Sequence, residues 1–157
     1  VHGDLPTDFG YLLPNIVWNE EQEVRNQHLN WSTDICYFMG QWFLRCVLEI
    51  PFQFQEGRFG WGIWVQVSDE SIENFRSVFE VDGSHCPREQ GVIANSIITY
   101  PWSMALPVEV QFGLPSDRPK LYFVGNSSHE LALKQKTGLS AEEYHEILQV
   151  IAPQSVT

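Results

Sequence analysis

At 157 residues with 43% hydrophobic side chains, the chain has material for one ordinary core and needs neither disulfides nor metal to hold it. Nine Lys and Arg against twenty Asp and Glu leave a net charge of −11, which excludes the usual way of holding nucleic acid or an anionic membrane, where basic side chains displace counterions. No stretch approaches the roughly 18 apolar residues of a bilayer span, and Val1-His2-Gly3-Asp4 has neither the basic start nor the apolar run of a secretory leader.

The segment up to residue 14 reads as loop, broken by Gly3, Pro6, Gly10 and Pro14. Residues 20–28 read as a short surface helix whose acidic start favours the macrodipole. The pattern then changes to strand: a run over 35–38, a turn at Met39-Gly40-Gln41 and a long strand over 42–50 make a β-hairpin. In that strand Trp42, Leu44, Cys46, Leu48 and Ile50 share one face, and Phe43, Arg45, Val47 and Glu49 share the other. A strand over 59–67 places Phe59, Trp61, Ile63, Val65 and Val67 on its apolar face and Gly60, Gly62, Trp64 and Gln66 opposite. Two glycines on one face permit a close backbone approach or a large cross-strand ring, and Trp64 is the nearby ring.

A helix over 69–80 is capped by Ser68 and carries Ile72, Phe75 and Phe79 at helical spacing. A polar loop over 81–90 follows, then strands over 91–98, 108–112 and 120–124. The C-terminal part is helical again: 129–136 ends at Gly138, and Ser140-Ala141-Glu142-Glu143 is a capping box before the last helix. There is no internal repeat or linker, so 1–157 reads as a single domain, and the missing initiator Met fits a chain that begins inside the natural protein. Short strands without regular βαβ alternation predict an α+β fold. Its expected form is a mainly antiparallel sheet of about five to six strands with helices packed on one face and at the ends.

Chemistry is sparsely signalled. Cys36, Cys46 and Cys86 are an odd set without close pairing, which reads as reduced thiols and makes the cytosol the expected compartment. His2, His28, His85, His129 and His145 show no zinc-ligand spacing. Cys86 lies in a polar loop beside His85 and Arg88, either of which lowers a thiol pKa, but no nucleophile motif frames it. With no phosphate loop or dinucleotide fingerprint either, the sequence leans away from an enzyme and offers no catalytic residue. Arg45 and Glu49, four apart on one strand face, join Trp64 and Gln66 in a polar and aromatic binding face; Tyr100 and Trp102 form the loop aromatic set expected to be exposed.

Several segments together resemble a bacterial domain-of-unknown-function family, number twenty-one ninety-nine. They are Gly3-Asp4-Leu5-Pro6, Asp34-Ile35-Cys36, Arg45-Cys46-Val47-Leu48-Glu49-Ile50-Pro51, Phe59-Gly60-Trp61-Gly62-Ile63-Trp64-Val65, residues 97–101, Arg118-Pro119 and His129-Glu130-Leu131-Ala132, with Gln135 and Gly138. In the last of these Glu130 stands where the family has Pro. Family members typically open with Cys-x-x-Cys-Gly just before the segment at which this sequence starts. The resemblance therefore implies that an upstream cysteine pair would bring zinc, with His2, Cys36 or His129 as the candidates to complete its ligands; the chain as given implies no cofactor. It implies no activity.

The expected function is that of a non-enzymatic cytosolic bacterial binding protein. Its partner is a protein, and a basic one is favoured because the −11 charge steers such a molecule in, as in immunity- or antitoxin-like inhibitors. The alternative is a zinc-binding or thiol-dependent enzyme. The sequence sets no oligomeric state.

Overall fold

The computed structural model describes residues 5–155. The first strand, β1 (Asp8–Gly10), lies in the segment that the breakers marked as loop. Two short helices follow, α1 (Asn15–Trp18) and α2 (Gln22–His28), then β2 (Leu29–Trp31) and β3 (Ile35–Phe38). Met39 and Gly40 both have positive φ, +50° and +82°, the twist that joins a tight hairpin, and they lead into β4 (Gln41–Pro51). The chain continues through β5 (Arg58–Val67) into α3 (Asp69–Val78), where the Ser68 side chain accepts from Ser71 N at 3.1 Å as the expected cap. Then come β6 (Glu89–Ile93), β7 (Pro107–Gln111) and β8 (Lys120–Phe123). Two helices end the chain, α4 (Glu130–Thr137) and α5 (Ala141–Ser155). The capping box closes reciprocally: Ser140 N donates to Glu143 Oε1 at 2.9 Å, and Glu143 N to Ser140 Oγ at 3.1 Å.

The expected mainly antiparallel sheet of about five to six strands, with helices packed on one face and at the ends, is overturned. The eight described strands form one mixed sheet in the order β1-β5-β6-β7-β8-β4-β3-β2, and β4 also pairs with β5, so β4 to β8 close into a five-stranded barrel. Two pairings are parallel, β1 with β5 and β4 with β8. Closure follows from strand length. β4 and β5 pair along their whole length, and the far edge of each is shared by two partners. β4 meets β3 at Ile35↔Leu44 and β8 at Val47↔Lys120; β5 meets β1 at Gly60 to Gly62 and β6 at Val65↔Ile93. Alternating hydrophobicity shows that one face is buried but not against what, and a closed sheet buries that face against itself.

The barrel interior takes Leu44, Cys46, Leu48 and Ile50 from β4 and Phe59, Trp61, Ile63 and Val65 from β5, all fully buried, as the alternation predicts. Each large apolar side chain enclosed there contributes about 1.5–3 kcal/mol relative to exposure. Ile72 and Phe75 of α3, Leu131 and Ala132 of α4, and Tyr144, Ile147 and Ile151 of α5 join the same core. A second cluster lies on the outer side of β4 and β5, where Leu13, Val17, Cys36 and Phe38 cover Phe43 and Trp64. Asn95, fully buried, fastens this cover. Its Oδ1 accepts from Trp64 N at 2.7 Å, and its Nδ2 donates to Leu13 O at 3.0 Å and to Asn15 Oδ1 at 3.1 Å.

Asn95→Ala strands a buried donor on β5 and a carbonyl on the N-terminal segment, so it should destabilise the fold by about 3 kcal/mol in a denaturant titration. A change below about 1 kcal/mol would mean that other groups fasten the cover.

Candidate functional site

The outer face of the β4–β5 ladder is only half covered. Beyond Phe43 and Trp64 it carries Arg45, Val47 and Glu49 on β4 and Gly60 and Gly62 on β5, and these line an open groove of about 650 Å³. Thr7 to Gly10 line it from the β1 side, and Arg58 and Arg118 complete it. Glycine makes this floor. A Cβ on Gly62 would stand 3.2 Å from Gly10 Cα, so β1 lies flat on β5 because neither residue has a side chain there. A Cβ on Gly10 would stand 3.2 Å from Arg45 Nη2, so the Arg45 side chain reaches to β1 over the same floor.

Arg45 is held in place without being neutralised. Its guanidinium carbon lies 5.8 Å from the centre of the Trp64 ring, and its Nε is buried with no hydrogen-bond partner. Burial lowers its pKa, the like charge of Arg118 lowers it further, and Asp34 pulls the other way. Among the described residues neither Arg45 nor Arg118 enters an ion pair. Glu49 pairs with Arg58 and with Lys120, the latter at 3.3 Å, so this carboxylate is already shared by two cations. Three of the nine Lys and Arg of a −11 chain thus line one groove, and among the described residues two of them enter no ion pair.

The expected site residues are distributed as follows. Arg45 and Glu49 line the groove together. Trp64 is fully buried beneath the Arg45 guanidinium. Gln66, farther along the same face, lines a separate groove with Val67, Gln90 and Val108. Tyr100 is buried while Trp102 is 45% exposed; their rings lie 5.9 Å apart, and Trp102 also meets the His129 ring at 5.8 Å. Of the implied zinc ligands, His2 lies outside the described residues. Cys36 is buried in the second cluster, where loss of solvent pushes its thiol up to about 12. His129 caps α4 by accepting from Ala132 N at 3.2 Å on Nδ1, leaving Nε2 buried without a partner. Among the described residues no three His, Cys, Asp or Glu side chains gather as a metal cluster. Burial likewise raises the Cys46 thiol in the barrel interior, while half-buried Cys86 packs on the outside of that core.

Sequence reading missed Asp8, Gly10, Arg58 and Arg118. One signal was available: two glycines on the strand face that neighbours Arg45 and Glu49, marking a close approach. The approaching segment was β1, which has no periodic pattern of its own.

Residues 1–139 match the model of a family described as an uncharacterized protein conserved in bacteria (DUF2199). No curated protein and no solved structure matches the chain. Among the described residues no helix is long and apolar enough to cross a membrane.

His129 provides a test independent of the groove. Burial lowers its pKa in the folded state, so its neutral form is the folded one. The stability it contributes is complete above the unfolded value of about 6.5 and is lost as pH falls below it. Protonation would also remove the Nδ1 acceptor and place a cation at a helix N-terminus. Denaturation midpoints measured from about pH 8 to pH 5 should therefore fall less steeply in His129→Ser, which keeps a capping oxygen. Identical slopes would show that His129 does not titrate with folding.

Proposed function

We propose a non-enzymatic binding function for this chain, which belongs to the family of uncharacterized proteins conserved in bacteria: its groove takes an acidic group of a protein partner between Arg45 and Arg118. The observation that carries this reading is the pair of guanidiniums that enter no ion pair among the described residues, one of them half-buried over the Trp64 ring with only the longer-range pull of Asp34 against the repulsion of Arg118. Such a pair raises the energy of the free protein, and an anion placed between its members relieves both the mutual repulsion and the unmade hydrogen bonds. Guanidinium forks also bind carboxylate and phosphate bidentately. Beside its cations and bare backbone the lining holds Thr7, Asp8 and Glu49 but no thiol, serine or imidazole, and Glu49 is engaged by Arg58 and Lys120, which suits holding better than bond-making.

The opposite sign of the whole chain is compatible with this. A charge of −11 steers a basic partner at long range, and the groove then selects the acidic residue that enters it at contact. A blocking protein of the immunity or antitoxin kind would work in this way, on a basic enzyme and in the cytosol.

Arg45→Met should leave thermal stability unchanged or raised, because it removes a partly desolvated charge facing another of the same sign. A loss above about 2 kcal/mol would make Arg45 a structural residue instead. In affinity capture from the host, a partner held by the parent chain should be lost from Arg45→Met combined with Arg118→Gln, with binding weakened by about 30-fold or more. A partner retained equally by both proteins would remove the groove from the binding function.

A further inference from the structure

We infer that the partner enters as an extended segment that adds to the outer edge of β1, with an acidic residue opposite Gly10 and a basic residue two positions away, opposite Asp8. This rests on the binding reading above and gives it a backbone register and a charge pattern.

β1 is the terminal strand of the sheet. Its parallel ladder with β5 places backbone bonds on Thr7 and Tyr11: Gly60 N donates to Thr7 O at 2.9 Å, and Tyr11 N to Gly62 O at 2.8 Å. In such a ladder alternate residues bond to the same neighbour. Asp8 and Gly10, lying between, therefore direct their N–H and C=O groups to the other side, where no strand pairs among the described residues. An edge of this kind is a template for strand addition.

The groove face of the edge sets the side-chain code. Asp8 and Gly10 pair with Gly60 and Gly62, so they share the face of the glycine floor. On an added strand, the side chain opposite Gly10 begins about 5 Å from the Gly10 Cβ position. Arg45 Nη2 stands 3.2 Å from that position, so a carboxylate there meets the guanidinium, with Arg118 as the second cation. Asp8 lies about 7 Å farther along the strand on the same face. It is exposed and enters no ion pair among the described residues, so the residue opposite it is selected for positive charge. Glu49 does not compete, because Arg58 and Lys120 occupy it. Main-chain bonds thus supply sequence-independent affinity, and alternate side chains supply the choice.

The probe is a fluorescent synthetic heptapeptide, Thr-Val-Glu-Val-Lys-Val-Thr, whose Glu-x-Lys order fits an antiparallel addition. It is titrated against the full chain by anisotropy. It should bind about tenfold more tightly than the same peptide with Gln at both charged positions, a charged hydrogen bond being worth that much. Asp8→Asn should remove only the preference for Lys, and Arg45→Met the preference for Glu. Methylation of the Glu amide nitrogen blocks the edge bond while keeping every charge, and should weaken binding by about tenfold. Unchanged affinity on methylation would overturn strand addition while leaving an Arg45-dependent groove, and hence the binding reading, intact. Binding indifferent to Arg45→Met would overturn both. A dimer of the chain that the peptide dissociates would assign the edge to a second copy and likewise overturn the inference.

Discussion

The antiparallel ladder between β4 and β5, running from Trp42↔Val67 to Pro51↔Arg58, is the constraint on which the other features depend. Side chains alternate across it, so a single register fixes two surfaces at once. Its inner face is apolar throughout and becomes one wall of the barrel. Its outer face changes character along the strand: Phe43 and Trp64 demand cover, Gly60 and Gly62 admit a neighbouring backbone, and Arg45 and Glu49 meet solvent and charge. A slip of one residue would put Arg45 and Glu49 inside the barrel, where unpaired charges cost several kcal/mol each.

The same ladder explains why cations collect on one groove of an acidic molecule. Arg45 is confined between an aromatic ring and the side-chain-free surface of β1, and Arg118 comes close enough to depress its pKa. Glu49 is sited to neutralise Arg58 and Lys120 instead. Under the proposed binding function this matters, because an Arg45 orientation settled before a ligand arrives costs less on binding. The structural supports lie outside the groove. Asn95 satisfies the backbone beneath Trp64, and the reciprocal Ser140–Glu143 cap starts α5.

Much of this was legible in the residues. The two faces of β4 and β5, the Ser68 cap, the turn at Met39-Gly40 and the helical C-terminal part all follow from periodicity and local chemistry, and all are present. Arg45 and Glu49 were recognisable as polar residues on an otherwise packed strand. Elsewhere local reading failed for identifiable reasons. β1 is three residues ending in Gly10, with no alternation to detect, and it is a strand only because Gly62 lets it approach. Trp64 was expected at a binding surface but lies wholly buried, since Leu13 and Val17 fold over it from a segment about fifty residues away in sequence. Tyr100 was expected to be exposed for its loop position, yet its ring packs into the barrel core while Trp102 stays outside.

The sequence by itself determined which side chains share a face, where helices such as α3 and α5 begin, and that the charge is strongly acidic. These are short-range properties, set by backbone geometry and by composition. Only the tertiary structure decided that the sheet closes, that β8 returns parallel to β4, and that Asp8, Arg45 and Arg118 come to line one groove. Those outcomes depend on pairings between residues far apart in sequence. Their energies come from burying surfaces against one another and from placing like charges side by side, and neither can be read from one segment alone.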